Sequence, residues 1–156
     1  MSHTLQGANA LTFAANSGAF ANGSTASQFT NAAAINFAIN GKFYSRAIIA
    51  SQALVIEPGT GIVPTAPQVL QTLPAGKACA FAILLDASAA FTVMQGDIVD
   101  AGMLCPVPAA PAGRAIVGAI KVSNTTNPFI PATTLFSAAG VTTTYTNLAQ
   151  HPGSSI

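Results

Sequence analysis

Charge is what this sequence has least of. Five basic and four acidic residues amount to 6 % of 156 positions, where a soluble domain ordinarily carries about a quarter. They are Lys42, Arg46, Glu57, Lys77, Asp86, Asp97, Asp100, Arg114 and Lys121, and they leave a net charge of +1. Scattered basic residues without a stripe predict no electrostatic capture of nucleic acid or of an anionic membrane. The surface must instead rely on Ser, Thr, Asn and Gln. These hydrate well but repel little, and they desolvate readily against a matching partner because no ion is stripped of water. The balance favours a chain that works inside an assembly over a neutral secreted domain.

Reactive groups are almost as scarce. The two histidines, His3 and His151, lie in the terminal segments, where an imidazole is hard to position, and a Ser-His-Asp or Cys-His device would have to recruit one of them. Cys79 and Cys105 form neither a disulfide framework nor a C-x-x-C zinc pair. Cys79 sits in an apolar run, where a reduced thiol behaves as a small hydrophobe, so free thiols are expected. Asp86, Asp97 and Asp100 cluster in sequence. Paired carboxylates serve glycoside hydrolysis or hold calcium, but the last two lack EF-hand spacing and Asp86 opens an Asp-Ala-Ser turn. Gly59-Thr60-Gly61 is followed by Ile62, Val63 and Pro64, with no lysine to make a phosphate loop. No catalytic residue, metal or cofactor is expected, and the chain is read as a non-enzyme.

Long apolar runs are missing too. The strongest, residues 78–85, is far short of the ~20 residues of a spanning helix. The opening MSHTLQGANALTF has no basic n-region and no continuous apolar stretch, which predicts no secretory signal.

What is present reads as short strands. Residues 1–30 are rich in Ala, Asn, Gly and Ser, carry no charged side chain and show no period, with Leu11, Phe13 and Phe20 as isolated anchors; they predict an extended N-terminal arm that orders against a neighbour. Residues 31–156 predict a single all-β domain. Segments 34–39 and 42–48 flank Asn40-Gly41, the pair that best tolerates positive φ at both centres of a type I′ turn. The hairpin register then sets Ile39 opposite Lys42, Phe37 opposite Tyr44 and Ile35 opposite Arg46, with Phe43 on the other face among small residues. Those aromatics could stack on bases or sugars, but core packing is the simpler reading.

Pro58, Pro64, Pro67 and Pro74 make residues 50–74 a loop or short edge strands. Residues 78–85 form a buried strand, and 90–94 return after the Asp86 turn. Gly96 to Gly102 is a further turn region, and Pro106, Pro108 and Pro111 stiffen the connection beyond it. Residues 115–122 (AIVGAIKV) form a strand in which Gly118 marks a bulge or a close approach. A polar loop, SNTTNPFIP, spans 123–131, and 141–145 (VTTTY) is a β-branched strand. Asn22 and Asn124 head glycosylation-like triplets, which is near chance in so Asn- and Thr-rich a chain. Short strands divided by Gly and Pro, with no capped helix, predict an all-β fold: an antiparallel β-sandwich or barrel-like domain carrying the N-terminal arm.

Three stretches carry a family likeness. INFAINGKFYSRA at 35–47, LPAGKACAFAILLDASAAFTVMQG from Leu73, and PAAPAGRAIVGAIKVSNTTNPFIPATTLFSAAGVTTTYTNL from Pro108 together resemble tailed-bacteriophage virion structural proteins. In that family a proline-rich turn leads into A-x-V-G-x-I-x-V, then N-P-F-x-P, then an A-A-G-V-T strand entry. The resemblance spans more than half the chain in the same order, and residues 1–30 depart from it. It implies a virion protein made in the host cytoplasm, a capsid decoration (cement) protein or a related head or tail structural subunit, whose partners are the major capsid protein and further copies of itself. Shell symmetry points to a homo-oligomer, a trimer at a threefold position. It implies no catalytic residues. The rival is a tail or fibre subunit binding host-surface glycans, with Phe129 as the candidate aromatic.

Overall fold

The computed structural model describes residues 12–56 and 69–148. Eleven strands form: β1 (Phe13–Ala14), β2 (Phe20–Asn22), β3 (Gln28–Asn31), β4 (Ile35–Ile39), β5 (Lys42–Arg46), β6 (Ile49–Ala53), β7 (Lys77–Leu85), β8 (Phe91–Gln95), β9 (Val99–Asp100), β10 (Ala115–Asn124) and β11 (Val141–Asn147). No helix occurs among the described residues. The strands make three antiparallel sheets packed together, in the orders β11-β10-β7-β8, β1-β4-β5 and β2-β3-β6. The all-β, sandwich-like class expected from the sequence is what the chain adopts.

The central pair β7–β10 explains the layering. Along β7 the side chains alternate, and both sets are buried. Cys79, Phe81, Ile83 and Leu85 enter a large cluster, while Ala78, Ala80, Ala82 and Leu84 enter a smaller one on the opposite face. A strand buried on both faces reads as a continuous apolar run rather than an alternating one. The large cluster is closed by the two smaller sheets. Phe20, Phe29 and Phe91, from β2, β3 and β8, meet edge to face with centroids 5.4–6.2 Å apart, a favoured geometry for aromatic quadrupoles. The Arg46 guanidinium lies 5.2 Å from the centre of the Phe91 ring.

Among the described residues no second sheet covers the opposite face. Residues 103–111 cross it as a proline-rich strap that buries Cys105 and Val107 against the alanines of β7. Small side chains let the strap lie close, and Gly96 is required by the same approach. A Cβ there would stand 2.5 Å from the Pro106 carbonyl oxygen. β9 follows β8 along the same edge of β7, and the strap comes after it in the chain.

The hairpin forms with the expected register, Ile39↔Lys42, Phe37↔Tyr44 and Ile35↔Arg46, and with φ of 51° at Asn40 and 78° at Gly41. Gly118 serves both suggested purposes. The β10–β7 register shifts between Ile116 and Gly118, and the Phe20 ring packs where a side chain would project, 2.6 Å from an added Cβ.

The expected arm over 1–30 needs correction from residue 12 onward. There the chain contributes β1, β2 and β3 to the fold, with Phe20 and Phe29 buried in its own core rather than ordered against a neighbour. Residues 1–11 lie outside the described residues. Strands of two to four residues carry too few positions to show a period in the sequence. Their joints are asparagines. Asn31 donates to the Ala33 and Ala47 carbonyls and accepts from the Ile49 amide. Asn16 accepts from the Asn36 amide and donates to the Ala34 carbonyl. Asn147 accepts from the Phe20 amide. Within 50–74, β6 pairs with β3 as an edge strand, Ile56 bridges to Val93, and the segment carrying Pro58, Pro64 and Pro67 lies outside the described residues.

Gly118→Ala is expected to lower stability by about 1–3 kcal/mol through overpacking against Phe20. In urea unfolding, part of that loss should be recovered when Phe20→Leu is added.

Candidate interaction surface

The structure places the candidate reactive residues apart. Asp86 is occupied by its turn, its carboxylate accepting from the Ser88 amide and hydroxyl and from the Ala90 amide. Partial burial alone would push its pKa up. The hydrogen bonds from Ser88 and Ala90, helped by the charge of Arg114, more than offset this and hold it below the usual carboxylate range. Asp100 is ion-paired with Lys77 across β9 and β7. Asp97 lines a cleft of about 310 Å³ beside Gln71, Gln95 and Ile98. Among the described residues no three His, Cys, Asp or Glu side chains gather as a metal site. His3, His151, Glu57 and the Gly59-Thr60-Gly61 motif lie outside the described residues.

Cys79 and Cys105 are free and buried, in the two clusters on opposite faces of β7, so the sheet stands between them. Burial pushes the Cys79 thiol up to about 12, partly opposed by Gln95, and burial also raises that of Cys105 despite Lys121. Neither is a thiolate near neutral pH, and the thiolate is the reactive form.

The aromatic candidates divide by burial. Phe37 is buried and stacks on Tyr44, with centroids 5.5 Å apart. Phe129, the glycan-stacking candidate, is 0 % exposed and stacks on Phe136. Its amide and carbonyl bond reciprocally with Leu73, so no ligand reaches it. The loop at 123–131 was expected to be polar, but it folds its one aromatic inward because the backbone there is pinned to Leu73. Asn124 is likewise fully buried, donating to the Leu73 carbonyl, and Asn22 accepts hydrogen bonds from Thr143 and Tyr145.

Phe43 goes the other way. Core packing was the simpler sequence reading for it, yet it is 70 % exposed. Alternation from the Asn40-Gly41 turn sends it away from Phe37 and Tyr44, and Ala38 opposite it is too small to cover it. Phe13 on β1 lies on the far side of Ala38, and the two rings meet edge to face at 6.2 Å. Together they bury Ala38 and present an aromatic row on the outer face of their sheet. Phe13 also borders a cleft of about 280 Å³ shared with Ala110, Pro111, Arg114 and Ile116. Met103, Leu104, Ile48, Val55, Val69, Ile130 and Leu135 are further exposed apolar side chains. Single exposed apolar residues are ordinary, but an aromatic pair beside a cleft lined by apolar side chains and Arg114, on a chain with few charges, suits a contact surface. The exposure of Phe43 was legible from the hairpin parity, whereas its pairing with Phe13 was not, because β1 joins β4 from more than twenty residues upstream.

Comparison with protein-family models, with curated proteins and with solved structures found no match.

Two outcomes follow from these environments. A thiol reagent such as Ellman's should titrate close to no thiol in the native protein near pH 8 and both after denaturation. Asp86→Ala should cost about 1 kcal/mol near pH 7. Because the folded pKa of Asp86 is depressed, its contribution is present above the unfolded value of about 4 and disappears as pH falls through the folded value. The stability gap between wild type and Asp86→Ala, followed by urea unfolding, should therefore close in acid.

Proposed function

We propose that this chain is a bacteriophage structural protein, a decoration (cement) protein that binds the assembled head shell and stabilises it. The observation that carries the reading is the exposed Phe13–Phe43 row beside its largely apolar, Arg114-bordered cleft, on a domain with few charges to resist desolvation. The family likeness of the 35–47, 73-onward and 108-onward stretches supports the same assignment. The glycan-binding alternative loses its named aromatic, since Phe129 is enclosed.

A ligand that binds only the assembled state stabilises it by mass action, by about 2.7 kcal/mol per site at a hundredfold excess over Kd. Shells repeat the same seam many times, so the clamp is a homo-oligomer matched to the local symmetry, a trimer where it sits on a threefold axis. The partners are the major capsid protein and copies of this chain. The location is the virion, after synthesis in the host cytoplasm.

The test is co-sedimentation of the purified protein with shells lacking it, together with antibody labelling of whole particles. Head labelling and saturable shell binding are expected, and Phe43→Ser should weaken binding roughly tenfold, as a central aromatic contact does, without changing the thermal midpoint by more than a degree or two. Labelling confined to the tail, or no binding to shells, would overturn the assignment.

A further inference from the structure

β11 is an edge strand of unusual character. Among the described residues its backbone pairs with β10 alone, over seven residues from Asn147 to Val141, with no register shift. β2 meets it through side chains, the Phe20 amide donating to Asn147 and the Asn22 amide oxygen accepting from the Thr143 and Tyr145 hydroxyls. None of its seven side chains is charged and none is a proline. None of the seven is buried, Thr142, Thr144 and Asn147 being exposed outright. Natural edges are ordinarily blunted by lysine, proline, a bulge or shortness, and β11 has none of these.

Its free hydrogen-bonding groups follow from the ladder. The Thr125 amide donates to the Gly140 carbonyl at one end, and the Leu148 amide to the Val117 carbonyl at the other. Antiparallel pairs alternate between bonded and non-bonded, so Thr142, Thr144 and Thr146 bond inward to β10. The amides and carbonyls of Thr143, Tyr145 and Asn147, and the carbonyl of Val141, point outward. The Val141 amide is taken by Ala138.

The occupant is decided by charge and register. When a strand pairs with its own copy about a twofold axis, each residue meets itself or its mirror position, so any charge is set near a like charge. β5, one of the two edges of its sheet, carries Lys42 and Arg46 and is disfavoured on that ground. β11 pairs with itself without conflict. An axis through Thr144 puts Thr143 opposite Tyr145 and Val141 opposite Asn147, which matches outward amides to outward carbonyls. The same axis sets Thr144 against Thr144 and Thr142 against Thr146, all uncharged β-branched pairs of the kind that stabilise sheets.

We propose that β11 is a self-association edge through which two copies of this chain join their β11-β10-β7-β8 sheets, antiparallel, about a twofold axis at Thr144. This contact does not close a threefold ring. It makes a dimer, or a hexamer where a separate threefold contact also forms, and it stands whether or not the assembly decorates a shell.

Sedimentation equilibrium of the full chain tests it. The wild type should be even-numbered. Thr144→Lys and Thr144→Glu, which place like charges on the axis, should each raise the association Kd roughly tenfold or more while circular dichroism and the melting profile keep the fold. An equimolar mixture of the two should restore the wild-type mass, because lysine then faces glutamate. Independently, Thr144→Cys should cross-link to a covalent dimer when a mild oxidant such as copper phenanthroline is added to take up the two electrons and two protons, since Cβ atoms at a non-bonded antiparallel position approach to about 4.5 Å, within disulfide reach. A wild-type monomer at high concentration, a mass that neither charge variant changes, or the absence of both mixed-variant rescue and Thr144→Cys dimers would overturn the contact. A trimer indifferent to both variants would overturn it while leaving shell binding standing.

Discussion

The rest of this molecule depends on a sheet that is buried on both faces. β7 sends Phe81 and Ile83 one way and Ala80 and Ala82 the other, and all four are enclosed. Each fully buried aliphatic or aromatic side chain is worth about 1.5–3 kcal/mol over its exposed state, so both faces must be covered. The chain meets this unequally. Large side chains on one face are matched by aromatics from two small sheets, and small side chains on the other admit a strap of irregular backbone. The glycines follow from the same demand, since Gly118 receives the Phe20 ring and Gly96 lets the strap pass.

Scarce charge shapes both the interior joints and the surface. Where many proteins would tie irregular segments with ion pairs, this one uses the amides of Asn16, Asn31, Asn124 and Asn147. A neutral amide offers both a donor and an acceptor at modest desolvation cost, which suits the many short strands that need one backbone group satisfied on each side. On the outside the same neutrality leaves the Phe13–Phe43 row and the β11 edge unguarded by like-charge repulsion. The decoration reading and the self-pairing edge draw on that one property through different residues.

Much of the fold was legible because its signals are local. The Asn40-Gly41 turn sets the hairpin register, and once the register is set, parity sends Phe43 outward. The continuous apolar runs at β7 and β10 announce strands covered on both sides. What stayed hidden was short or distant. β1, β2 and β3 hold two to four residues each, too few to distinguish them by pattern from an extended arm. Phe129 looked available because its loop is polar on either side, yet its backbone is clipped to Leu73.

By itself the sequence determined that this chain is all-β, where its main strands and tightest turn lie, and how few ionisable groups it can bring to any surface. Those properties depend on turn chemistry, alternation and composition, each confined to a handful of adjacent residues. Only the tertiary structure decided that Phe13 joins Phe43 while Phe129 is enclosed, which segment roofs the second face of the central sheet, and which strands stand at the sheet edges among the described residues. These depend on pairings between residues far apart in the chain, and no local pattern encodes a partner that arrives from elsewhere.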